Sequence, residues 1–252
     1  MILTDTQKLN YERDGFLIYG SMLSEKELED LSQRIDALAS GEHCNAEKTG
    51  MRLEGAAIAG ELQDVSRRDK VWQLGNPHLH DDIIMKYTNK PEILDIVIEL
   101  LGTEDVKLFM TQALMKPAFH GSIVSWHQDS AYWTSVSPPA LVSCWTALDD
   151  ATEENGCMRM LPASYKKGLW PHEQIYDKSN GDDFLHAQGV DVSQAVPIVL
   201  KAGSCSFHHS LTVHGSLENK TPYRRRGLAT SYMRADSKWV ESPKKWMSKN
   251  IQ

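Results

Sequence analysis

Trp126-His127-Gln128-Asp129 closes a short apolar run, residues 122–127, that has the texture of a β-strand. Side chains two apart on a strand leave from the same face, so His127 and Asp129 project together, imidazole beside carboxylate. A second histidine from a neighbouring strand would complete a face of two imidazoles and one carboxylate, which leaves three positions open on a ferrous ion. His214, at the head of His214-Gly215-Ser216, is the candidate. Imidazole and carboxylate suit ferrous iron better than thiolates do. A basic residue about ten positions beyond the distal histidine is what a dicarboxylate co-substrate requires, because its far carboxylate needs a guanidinium partner. Arg224-Arg225-Arg226 offers three, after a turn through Asn219-Lys220-Thr221-Pro222 that brings the next strand back beside His214. Alternation lets Arg225 point inward while its neighbours point outward, and a slip of one residue would exchange them.

Around this stretch the chain is strand-rich. From Val106 onward, apolar runs at 106–115, 122–127, 140–148, 157–161, 196–200, 204–208 and 227–233 are separated by turn residues such as Lys116-Pro117, Ser137-Pro138-Pro139 and Glu154-Asn155-Gly156. That spacing predicts a β-sandwich or barrel. The first hundred residues predict a mostly helical layer. Ser24 and Glu27 form a capping box ahead of Leu28, Leu31, Ile35 and Leu38, with Gly41 as the stop. A second helix runs from Pro91 to Gly102. Residues 41–90 lack periodicity and read as loop, and residues 172–194 read as a long polar excursion from the sheet.

Composition excludes several classes. The 252 residues carry a formal net charge of −7, which argues against a nucleic-acid partner and an anionic membrane surface. The four cysteines, Cys44, Cys144, Cys157 and Cys205, are scattered and read as free thiols in a reducing compartment. The start lacks a signal-peptide pattern, no segment has the length of a membrane span, and the expected location is the cytoplasm. His78, His80, Asp81 and Asp82 sit in a Pro-containing loop and are not expected to bind metal; His120 and His172 are expected in loops, exposed. His208 lies an even distance before His214 and is expected inward without being a ligand. No phosphate-binding glycine loop and no Gly-x-Ser-x-Gly elbow is present.

The motifs together resemble the phytanoyl-CoA dioxygenase family of Fe(II)- and 2-oxoglutarate-dependent oxygenases. The resemblance rests on Tyr11-Glu12-Arg13-Asp14-Gly15-Phe16, the Trp126–Asp129 motif, Trp145-Thr146-Ala147-Leu148-Asp149-Asp150, Glu154-Asn155-Gly156-Cys157 and the section from Gly203 to His214. It implies a mainly β fold with flanking helices: a double-stranded β-helix (jelly-roll, cupin-like) core at about 106–235 and a helical N-terminal buttress at about 1–105, in a single domain spanning 1–252. It implies Fe(II) on His127, Asp129 and His214, and 2-oxoglutarate anchored by Arg225 and Ser216 with Trp145 beside it. Gln112, on the preceding strand, is a further co-substrate contact by the same analogy. O2 is the other co-substrate, and the reaction is oxidation of an unactivated C–H, with release of succinate and CO2. Asp129 stands where related halogenases carry a small residue, which favours hydroxylation. One departure is Pro162-Ala163-Ser164-Tyr165, where the family commonly has Pro-Gly-Ser-His. The expected substrate is a small molecule, natural-product-like or amino-acid-like, since the acidic balance suits a CoA thioester less well. The alternative from another class is a non-catalytic β-sandwich that senses 2-oxoglutarate or scaffolds a partner.

Overall fold

The computed structural model describes residues 2–177 and 182–240. Two antiparallel sheets carry the architecture. The larger has seven strands in the order β1 (Phe16–Ser21), β12 (Ser204–His209), β7 (Leu141–Ala147), β14 (Arg225–Arg234), β4 (Val106–Lys116), β3 (Val71–Gly75) and β2 (Gly50–Leu53). The smaller has four, β11 (Val196–Pro197), β8 (Met158–Met160), β13 (His214–Ser216) and β5 (Val124–His127). Two strand pairs flank them, β9 (His172–Asp177) with β10 (Asp182–Ala187), and β6 (Val136–Ser137) with β15 (Lys238–Trp239). The fold is the expected mainly β, jelly-roll type with flanking helices.

The helices are α1 (Asp5–Asp14), α2 (Glu25–Ser40), α3 (Gly55–Ile58), α4 (Asp82–Thr88), α5 (Pro91–Leu101) and α6 (Asp129–Tyr132). The α2 boundaries follow from local chemistry. Ser24 and Glu27 close the capping box and Gly41 ends the helix in the left-handed conformation. Leu31, Ile35 and Leu38 of α2 and Ile93, Ile96 and Val97 of α5 bury against Leu74, Ala113, Leu228 and Tyr232 on the outer face of the larger sheet. Each such side chain contributes about 1.5–3 kcal/mol when fully buried. A second core lies between the sheets: Phe16, Trp145 and Ala147 from the larger, Met158 and Met160 from the smaller, with Ile198 and Leu200. Apolar packing thus joins the inner faces of the two sheets.

Three segments differ from the sequence reading. The N-terminal hundred residues are not helical throughout, because β1, β2 and β3 join the larger sheet at its two edges. Residues 41–90 supply β2, β3, α3 and α4 rather than only loop. Residues 172–194 contain the β9–β10 hairpin, whose connecting residues 178–181 lie outside the described part. Strand β2 and the β9–β10 hairpin escaped notice for one reason. Gly50-Met51-Arg52-Leu53 has no buried residue, and the hairpin strands are charged. Period-two alternation appears only where one face is buried and the other solvated.

The Pro162–Tyr165 departure has a structural consequence. Ala163 takes φ 57°, in the left-handed region, and donates its N–H to the Asp14 carbonyl at 2.9 Å. The turn is locked beyond it, since Ser164 Oγ accepts from Val213 N at 2.9 Å and Tyr165 Oη donates to the Glu12 carbonyl at 2.6 Å. An L-residue there carries a cost of about 1–2 kcal/mol that glycine avoids. Ala163→Gly should accordingly stabilise the protein, by about 1 kcal/mol after the added unfolded-state entropy is subtracted. Urea denaturation would show this as a higher midpoint at unchanged slope; a lower midpoint would contradict it.

Candidate active site

His127 ends β5 and His214 begins β13, and the register pairs them directly. Their ring centroids are 4.3 Å apart. Asp129 lies beyond the strand, as the first residue of α6, not within it as the alternation argument supposed. It still shares the side of His127 because Gln128 between them is extended, at φ −114° and ψ 134°. Gln128 turns the opposite way and is fully buried, its amide donating to the Leu211 carbonyl at 2.6 Å and the Gly168 carbonyl at 2.9 Å. These bonds fix the peptide that aims both neighbours.

One ligand atom from each of His127, Asp129 and His214 lies within 4.8 Å of the others. Each imidazole Nε2 is 3.8 Å from Asp129 Oδ1. Each ring is oriented through its other nitrogen: His127 Nδ1 donates to the Ser125 carbonyl at 2.7 Å and His214 Nδ1 to the Thr212 carbonyl at 2.9 Å. A carbonyl only accepts, so both Nδ1 atoms carry the proton and both Nε2 lone pairs face the carboxylate. That is the donor set and tautomer a divalent metal needs. Burial pushes the His127 imidazolium down, and burial with its neighbour His127 pushes His214 down to about 3. Burial works to raise the Asp129 carboxyl, but the surrounding His214, His208 and His127 outweigh it and hold it below the usual carboxylate range. All three groups are thus in the metal-ligating state at neutral pH.

The arginine run separates as alternation requires. Arg224 reaches Asp36 on α2 at 2.6 Å, and Arg226 reaches Asp149 at 2.7 Å and Asp36 at 3.0 Å. Both belong to the helix-facing side. Arg225 turns inward and is only 3% exposed. Its guanidinium lies 5.5 Å from the Trp145 ring, and Nη2 donates to the Gly156 carbonyl at 3.2 Å. Trp145 lies across Gly227, where a Cβ would come within 2.0 Å of the indole, so only glycine leaves room for that ring. Arg225 Nε and Trp145 Nε1 are buried donors with no hydrogen-bond partner among the described residues. Two such donors side by side, one cationic, fit a carboxylate. Burial lowers the Arg225 guanidinium to about 10, which keeps it charged at neutral pH.

Gln112 is half-buried on β4, in register with Ala229, which is in turn in register with Trp145. Ser216 is buried on β13 opposite Met158, and among the described residues no hydrogen bond links it to Arg225. Three residues that the sequence reading did not assign, Lys116, Glu54 and Ser143, also enter the site, and so does His208, expected inward without being a ligand. Lys116, 1% exposed, is the direct cross-strand partner of Arg225 and donates to the Ser122 carbonyl. Burial, then Arg225, lowers its ammonium well below the usual range. Glu54 is 1% exposed and burial raises its carboxyl. His208 and Ser143 both reach Asp129 Oδ2, at 3.3 and 3.2 Å. Lys116 was legible: it follows Gln112 by an even spacing on the same strand. The stretch from His78 to Asp82 is structural. Asp81 caps α4 through Ile83 N and Ile84 N and pairs with His43, while His78 bonds Thr111. His172, expected in an exposed loop, is half-buried on β9, and its Nε2 accepts from Gln128 N at 3.2 Å.

The family model for phytanoyl-CoA dioxygenase (PhyH) matches residues 11–227. The chain belongs to that family and is an Fe(II)- and 2-oxoglutarate-dependent oxygenase. It is 26% identical over 245 residues to the peroxisomal phytanoyl-CoA dioxygenase of Homo sapiens, covering 95% of this chain and 71% of that one. It is 29% identical over 238 residues to a protein of Stutzerimonas stutzeri named "Probable alpha-ketoglutarate-dependent hypophosphite dioxygenase", covering 92% and 79%. Among solved structures, the non-heme monooxygenase ThoJ superposes with a TM-score of 0.71 at 26% identity, covering 94% of this chain and 80% of that one. No helix among the described residues is long and apolar enough to cross a membrane.

The buried imidazoles set a pH dependence for the metal-free protein. In the unfolded chain each takes up a proton near pH 6.5, whereas folded His209 is lowered to about 4 and His214 to about 3, both chiefly by burial. Between those limits the unfolded chain binds more protons, so stability falls as pH falls. The melting temperature of the metal-free protein should decline from pH 7 to pH 5, and His214→Gln should flatten the decline. A melting temperature constant across that window would refute the assignment of neutral, buried rings.

Proposed function

We propose that His127, Asp129 and His214 hold the ferrous ion, that Arg225 and Trp145 anchor 2-oxoglutarate, and that the reaction is hydroxylation of an unactivated C–H bond in a small organic molecule. One observation carries this reading. Two imidazole Nε2 atoms converge on one carboxylate oxygen, and the strand next to that of Trp145 turns a buried guanidinium inward whose Nε lacks a partner among the described residues. Bound iron and 2-oxoglutarate supply the oxidising power, through decarboxylation to succinate and CO2 with consumption of O2. The chain does the rest. Ser125 and Thr212 carbonyls hold the ligand rings, and Arg225 matches the charge of the far carboxylate of the co-substrate. Met158, Met160 and Phe16 pack in one buried cluster with Trp145 and keep water from its surroundings.

Beside the histidines, Tyr132 lies edge-on to His127 with centroids 5.5 Å apart, and its hydroxyl accepts from Leu185 N of the β9–β10 hairpin at 2.9 Å. Phe184 of the same hairpin packs on Trp72 at 5.6 Å. Aromatic walls of this kind suit a compact, partly apolar substrate, such as a natural-product-like or amino-acid-like molecule. Relatives whose names specify a CoA thioester and hypophosphite show that the family accepts very different substrates. A cytoplasmic location remains part of this proposal.

Purified protein with Fe(II), ascorbate and 2-oxoglutarate should release succinate, faster when substrate is added. Asp129→Ala and His214→Ala should abolish that release; variants that retain it would show the ligand assignment to be wrong. Arg225→Met should raise the KM for 2-oxoglutarate by about 100-fold or more, since a charge-assisted pair in a buried site is lost. A sensor or scaffold would instead bind iron and 2-oxoglutarate, seen as a charge-transfer band under anaerobic conditions, and release no succinate on admission of O2 with any substrate of a broad screen.

A further inference from the structure

His208 touches Asp129 without being one of the three clustered residues. It sits on β12 opposite Ser143 of β7, and Ser143 sits opposite Ser231 of β14. All three side chains share the inner face of the larger sheet. His208 is 2% exposed, its ring centroid is 4.8 Å from that of His214, and its Nδ1 has no partner among the described residues. Its Nε2 lies 3.3 Å from Asp129 Oδ2. Ser143 Oγ donates to the same oxygen at 3.2 Å and lies 2.8 Å from Ser231 Oγ. An ionised carboxylate only accepts, so His208 donates from Nε2.

The two carboxylate oxygens are therefore treated differently. Oδ1 faces the Nε2 atoms of His127 and His214, while Oδ2 is taken by two donors from the opposite sheet. A carboxylate free to rotate can bind a metal through both oxygens and consume one more coordination position. The co-substrate and O2 together need three open positions. We propose that His208 and Ser143 are positioning residues that hold Asp129 to a single metal-facing oxygen, with Ser231 orienting the Ser143 hydroxyl. The inference rests on the metal reading given under the proposed function and goes beyond it, since neither residue is a ligand.

The test is binding of Co(II) to the metal-free full chain, measured by titration calorimetry, with the melting temperature of each variant recorded alongside. His208→Leu removes the donor and should weaken Co(II) binding by about 10-fold or more, the usual effect of losing a partner to a metal ligand. His208→Gln places an amide N–H near the position of Nε2 and should restore affinity to within about three-fold of the wild type. Ser143→Ala should weaken binding in the same direction, and it serves as the comparison if His208→Leu fails to melt cooperatively. Wild-type affinity in a folded donor-less variant, whether His208→Leu or Ser143→Ala, overturns the inference and leaves the metal reading intact. So does a folded His208→Gln as weak as His208→Leu, because the ring itself would then matter, as packing or as a fourth ligand. No Co(II) binding by the wild type would overturn the metal reading and this inference together.

Discussion

The direct pairing of His214 with His127 across β13 and β5 is the constraint on which the site depends. It places two imidazoles from residues 87 positions apart at contact distance without any loop having to hold them. Their backbone-bonded Nδ1 atoms leave two lone pairs aimed at one point, and Asp129 is delivered to that point by a single extended residue, Gln128. The smaller sheet supplies most of the ligand geometry. The larger sheet supplies what surrounds it: the donors on Asp129 Oδ2, the indole of Trp145 and the guanidinium of Arg225. A site at the junction of two sheets needs both to keep their register, which is why the inter-sheet core of Phe16, Trp145, Met158 and Met160 bears on function as well as stability.

Three consecutive arginines show how one strand serves two purposes. Arg224 and Arg226 leave β14 toward α2, where Asp36 receives both, and they tie the helical layer to the sheet. Arg225 leaves from the other face into the interior. Its cross-strand partner there is Lys116, a second buried basic side chain, and Glu54 is a buried carboxyl group in the same region. Burying like charges opposite one another is unfavourable unless an anion or a shifted proton relieves it. The lowered Lys116 ammonium is one form of that relief, and the neighbouring Glu54 carboxyl supplies an opposing charge.

Much of this was legible in the sequence. Helix α2 could be placed to the residue, because a capping box and a glycine stop are local signals that survive any tertiary context. The clustering of His127, Asp129 and His214 was legible because the motif spacing resembled a known family, and alternation narrowed the inward basic residue to one of three arginines. The N-terminal strands and the β9–β10 hairpin were not legible. In β3, between β2 and β4, buried Val71, Gln73 and Leu74 do not alternate, while strand β2 and the hairpin lie at a sheet edge or on an exposed ribbon, where no buried face imposes alternation. His172 was placed in an exposed loop for the same reason.

By itself the sequence determined the chemistry of the donor set: two imidazoles, one carboxylate and a guanidinium, at spacings that alternation turns into shared faces. Only the tertiary structure decided which of Arg224, Arg225 and Arg226 enters the interior, and which oxygen of Asp129 faces the histidines. It alone revealed that Lys116 and Glu54 lie beside Arg225 and that His208 and Ser143 bond Asp129. The physical reason is range. Face alternation and helix caps are set by neighbours within a few residues, whereas the partners of a buried polar group are fixed by strand register across the whole sheet, and register is settled only when both cores have packed.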